Sequence, residues 1–120
     1  MSEKKSILKD KSFAFALRCV KLNKYLMETK KEFVLSKQLL RSETSVGANI
    51  REAQNAESKA DFIHKLGVAQ KECDETIYWL ELLKESEFIT QIEFESLNNE
   101  ATEILKMLRS SILTARQKNS

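Results

Sequence analysis

The chain has one histidine, His64, set three residues after Asp61. An acidic residue and a histidine at that interval share a helix face and can hold a metal together, but carboxylate-bridged centres in helical bundles need two Glu-x-x-His pairs and further glutamates. One unmatched pair falls short, so neither a metal nor a cofactor is expected. Glu72, Asp74 and Glu75 are the densest group of carboxylates, yet at roughly 100° per residue only Glu72 and Glu75 share a side. They read as a solvated acidic face or as partners for basic residues on a neighbouring helix. Cys19 and Cys73 each sit in an apolar pattern with no CxxC or Cys/His spacing, which marks them as core residues of a reducing compartment. No Ser/His/Asp set, glycine-rich phosphate loop or small-molecule site can be assembled from the 120 residues, and an enzyme is not expected.

Phosphate is the ligand that the charge pattern does suggest. The net charge is only +2, but residues 1–31 carry nine Lys/Arg against three Asp/Glu, while residues 57–89 carry four against eight. Lys11, Arg18, Lys21 and Lys24 recur at helical intervals as one basic stripe, extended by Lys4, Lys5 and Lys9. Such a stripe is either a solvated face or, concentrated by the assembly of several copies, a surface for the backbone of RNA or DNA. No base-reading module accompanies it. A different phosphate chemistry is open at His64, because the run His64-Lys65-Leu66-Gly67 is distantly similar to the His-x-Leu-Lys-Gly signature of histidine phosphotransfer bundles. The lysine before the glycine is missing, and His64 lies about 200° around a helix from Phe62 and Leu66, away from the apolar stripe. An exposed histidine without a partner is the simpler expectation, and phosphotransfer the alternative.

The segment RSETSVGANIREAQ, residues 41–54, places Ser42, Gly47 and Asn49 on a helical face where larger apolar residues are usual. A glycine inside a helix costs roughly 1 kcal/mol relative to alanine, so a compensating contact is expected. Close approach of another helix supplies one reading, with Asn49 and Glu52, three residues apart, forming a polar node with Ser42. A ligand or partner site is the other.

These residues need helices to position them, and the chain is built to form helices. It contains no proline and two glycines. Phe15, Cys19, Leu22 and Leu26, flanked by Phe13, Leu17, Val20 and Met27, make a broad apolar stripe over a helix from about 12 to 28. A second helix is expected over 33–56, opened by the box-like TKKE of residues 29–32. A third, over 59–86, is announced by SKAD, and a fourth, over 91–116, by TQIE. Short links make neighbours antiparallel, so the fold class is all-α, a single up-down-up-down four-helix bundle spanning residues 1–120. No stretch reaches the ~20 apolar residues of a membrane crossing and no leader-like segment opens the chain, so a cytoplasmic location is expected.

Ser45 to Ala53 (SVGANIREA), the preceding Gln38 to Arg41, and the later ECDETIYWLELL of Glu72 to Leu83 resemble the four-helix bundle family encoded by 23S rRNA intervening sequences. The resemblance covers the chain from about Phe13 to the end of the fourth helix. It implies an antiparallel four-helix protomer that assembles into a ring, typically a homopentamer, with no known catalytic activity. It also implies kinship with the accessory variability determinant proteins, which bind nucleic acid. Gly47 stands where many relatives have proline and Ala53 where many have glycine.

The third helix is apolar nearly all the way round from Ile77 to Leu83, so either flanking helices cover it widely or a second copy does. Tyr78, Trp79 and Leu82 are the residues expected at such an interface. The expected function is accordingly a non-enzymatic oligomeric binding or scaffold protein whose first helix contacts RNA or DNA backbone, with phosphotransfer through His64 or a purely structural oligomer with a protein partner as alternatives.

Overall fold

In a computed structural model that describes residues 3–118, with side chains from residue 7 onward, four helices follow one another: α1 (Glu3–Glu28), α2 (Leu35–Ala53), α3 (Lys59–Glu85) and α4 (Gln91–Gln117). They pack side by side into a rod of 50 × 22 × 20 Å. α1 touches α2 and α4, α3 touches the same two, and α1 and α3 lie on a diagonal. Neighbours run antiparallel: on α1 and α4, Lys11 meets Glu103 and Arg18 meets Glu100, and on α2 and α3, Ser42 meets Thr76 and Glu52 meets Lys65. The protein is an all-α, up-down-up-down four-helix bundle.

α1 starts at Glu3, well ahead of the expected Ser12. Leu8 and Ser12 continue the buried line of Phe15, Cys19 and Leu26 backward at helical spacing, so the core reaches beyond the polar run that masks it in the sequence. The side chains of Lys4 and Lys5 lie outside the described residues.

Two of the helix starts form as their sequences suggest. The Ser58 side chain accepts from the Asp61 N–H at 3.0 Å, and Thr90 and Glu93 exchange both bonds of a capping box at 3.1 and 2.8 Å. The start of α2 is built otherwise. Thr29 plays no part; the Glu32 carboxylate instead accepts from the N–H groups of Val34, Leu35 and Ser36 at 3.1, 2.9 and 2.7 Å. Burial works against ionisation of Glu32, but these donors outweigh it and hold its carboxyl below the ordinary value. Asn23 of α1 completes the corner by donating to the Ser36 carbonyl at 3.1 Å. At the far end α3 closes with Glu87 in the left-handed region at φ 67° and the Phe88 N–H on the Leu83 carbonyl.

The core runs the length of the bundle. Phe15 and Leu26 from α1, Leu39 and Ile50 from α2, Leu80 and Leu83 from α3, and Ile104 and Leu108 from α4 are all but fully buried. No helix among the described residues is long and apolar enough to cross a membrane.

Candidate interaction face and the buried polar positions

The basic stripe of α1 divides into two halves. Lys11 pairs with Glu103 at 3.1 Å, and Arg18 pairs with Glu100 while also donating to Ser96 Oγ at 3.1 Å. α4 therefore neutralises these two. Lys21 and Lys24 point outward, with no acidic partner among the described residues.

Beside them α1 exposes an apolar strip. Phe13 is 54% exposed and Leu17 49%, and Val20 and Met27 continue the row with Lys24 between them. The strip borders α2, whose outer edge carries Thr44, Gly47, Ala48 and Arg51, and the two helices enclose an open groove of about 310 Å³. The Arg51 guanidinium sits 5.9 Å from the centre of the Phe13 ring, within cation–π reach. Gly47 faces this groove. A Cβ built there would meet nothing within 4 Å, so no helix of the same chain approaches it closely, contrary to the expectation for a helical glycine.

The polar node splits into separate contacts. Ser42 is fully buried, and its oxygen lies 2.8 Å from that of Thr76 on α3. Asn49 instead turns back on its own helix, donating to the Ser45 carbonyl at 2.9 Å. Glu52 pairs with Lys65 of α3 at 2.9 Å on the surface. Ser42 alone of these residues is a buried helix-to-helix contact.

On α3 the three expected interface residues also separate. Tyr78 is 51% exposed, whereas Trp79 is half-buried and donates from its indole N–H to Glu75 at 3.0 Å. Leu82 is half-buried as well. Arg41 of α2 ties down Glu72, at 3.3 Å, and Glu75, so these carboxylates serve the α2–α3 contact. Flanking helices cover most of α3's apolar surface, and the larger exposed apolar row belongs to α1.

Glu43 is the residue that sequence reasoning missed. It is 0% exposed, and among the described residues neither carboxylate oxygen has a hydrogen-bond partner. Its position carried a signal, because Leu39, Glu43, Val46 and Ile50 step by four, three and four and form the core seam of α2. Burial pushes its carboxyl up to about 9. The thiols of Cys19 and Cys73 are raised too, first by burial and then by the charge of Glu43. His64 is exposed on the outer side of α3. Among the described residues no group of three or more His, Cys, Asp or Glu side chains is placed to hold a metal ion.

Comparison with known proteins bears on the whole bundle. The sequence model of the family described as 23S rRNA-intervening sequence protein matches residues 4–110. A crystal structure from Bacteroides thetaiotaomicron, described as a protein of unknown function from the S23 ribosomal protein family, superposes with a TM-score of 0.90 at 59% identity, covering 91% of this chain and 97% of that one. No curated protein matches the chain.

Proposed function

This chain belongs to the 23S rRNA-intervening sequence protein family, and from that premise we propose that it works without catalysis, as a self-assembling binding protein whose copies join through the outer face of α1. The observation that carries this reading is the exposed row of Phe13, Leu17, Val20 and Met27 on a helix that already buries Leu8, Phe15, Cys19 and Leu26 on its other side. A helix apolar on two sides calls for cover on two sides, and the bundle supplies one.

The surface of a second copy that fits the row is the outer side of α3, where Tyr78 stands exposed among Asp74, Glu81 and Glu85. The tyrosine ring meets Phe13 and Leu17, and the carboxylates meet Lys21 and Lys24. α1 and α3 occupy diagonal corners, so the joint connects two different patches. Joints of that kind repeat from copy to copy, closing into a ring where the rotation between copies allows it and running on as a filament where it does not. A homopentamer, as the family resemblance implies, is one such closed form.

Complementation tests the head-to-tail arrangement. Leu17→Asp spoils one patch and Tyr78→Asp the other, so each variant alone runs as a monomer while an equal mixture recovers a dimer through the two intact patches. Assembly of Tyr78→Asp alone at the native size would contradict it.

A second reading, contact with RNA or DNA backbone, rests on Lys21 and Lys24, the two stripe residues that α4 leaves open. Phosphotransfer is the third. Acid-labile phosphate that forms on the native chain and not on His64→Ala would support it, and no such phosphate on the native chain removes it.

A further inference from the structure

Glu43 presents a problem that neither assembly nor surface charge addresses. A carboxylate shut away from bulk solvent, with no donor among the described residues, is far too costly to keep ionised inside a bundle, so the closed core holds the neutral acid. Buried in the same core, and close enough to feel its charge, are the Cys19 thiol of α1, on which Arg18 also acts, and the Cys73 thiol of α3, on which Asp74 also acts. From α4, Arg109 acts on Cys73. Arg18 is engaged by Glu100 and Ser96, and the hydroxyl of Ser42, next to Glu43 in the chain, is engaged with that of Thr76. Cys73 directs its own proton to the Ala101 carbonyl at 3.3 Å.

We infer that Glu43 is a proton-dependent lock on the core: with its carboxyl neutral the helices close over it, and on losing the proton it draws water between α1, α2 and α3 and opens the bundle around Cys19 and Cys73. The sign follows from the two states of the group. In the unfolded chain a glutamate titrates near ~4.3, whereas burial raises it to about 9 in the folded one. Between those values the folded chain holds a proton that the unfolded chain has released. The stabilising contribution is therefore complete below the lower value and is lost as pH rises through the upper one. The unfolding equilibrium constant rises by up to tenfold for each pH unit in that window. Through Glu43, lowering the pH toward ~4 tightens the bundle and alkali loosens it.

Two measurements on the full chain test the lock. The first compares thiol labelling of the native protein and of Glu43→Gln at matched pH, so that the ordinary rise of thiol reactivity with pH is common to both; the Glu43 charge that the variant lacks raises the thiols and slows labelling, so it works against the expected result. The ratio of native to variant rates is expected to climb at least tenfold between pH 6 and pH 9; a ratio that stays constant overturns the inference. The second reads the urea midpoint of the native protein and of Glu43→Leu, which keeps the seam apolar if the amide variant fails to fold. The native midpoint is expected to fall steadily from pH 6 to pH 9 while that of Glu43→Leu holds. A native midpoint that does not move, or one that the leucine variant follows, overturns it equally.

Discussion

The side-chain oxygens of Ser42 and Thr76 lie 2.8 Å apart across the α2–α3 contact, both fully buried. Each is also within reach of a carbonyl on its own helix, Ser42 of Leu39 at 3.1 Å and Thr76 of Glu72 at 2.9 Å. One hydroxyl can donate across the contact while the other donates to its own helix. Replacing either partner alone leaves the other short of a bond. Ser42→Ala and Thr76→Val should therefore each cost about 1–2 kcal/mol, and the double variant less than their sum. Urea unfolding of the four forms measures this; strict additivity would mean that the pair does not interact.

The Glu32 carboxylate organises the start of α2 with three backbone donors. Glu32→Gln should cost about 1 kcal/mol at neutral pH, the usual worth of a helix cap. Because the folded state holds Glu32 below its ordinary value, its contribution is present above the unfolded pKa and disappears as pH falls through the folded one. The urea midpoint of the native chain should drop below about pH 4, and the variant should lose that part of the acid dependence.

Gly47 has open space where a Cβ would stand. In a lone protomer Gly47→Ala should therefore stabilise α2 by roughly 0.5–1 kcal/mol, the helix-interior cost of glycine. Should the groove beside it hold a second copy, the same change would weaken assembly while strengthening the fold. Thermal unfolding and sedimentation, run on one sample, separate the two effects.

Two halves of the basic stripe should behave differently toward nucleic acid. Where phosphate contact occurs, affinity for an RNA or DNA oligonucleotide falls as salt rises, by a log–log slope of about 0.7–0.9 per phosphate neutralised. Lys21→Glu with Lys24→Glu should flatten that slope, whereas Lys11→Ala, which removes a residue already paired with Glu103, should change it little. Affinity indifferent to salt would remove phosphate contact from the reading.

Local signals were the easiest to read. SKAD and TQIE state a helix start within four residues, because capper and capped N–H are neighbours in the chain, and both form as read. The cap by Glu32 was hidden, since it depends on a turn in which Lys31 adopts φ 57°. Glu43 was hidden for another reason: its spacing placed it in the seam of α2, but its chemistry argued for the surface, and Ser42 next to it fits the period nearly as well. The apolar breadth of α1 was visible in Phe13, Leu17, Val20 and Met27. Which flank stays bare depends on where α2 and α4 lie, and that is a property of the packed bundle.

Solution mass by light scattering, on the native chain and on Phe13→Asp with Leu17→Asp, addresses the α1 face most directly. The native protein should run at a multiple of its 13.9 kDa chain mass, and the double variant should run as a folded single chain with unchanged helix content. A native protein of 13.9 kDa, or a double variant that keeps the native mass, would contradict assembly through this face.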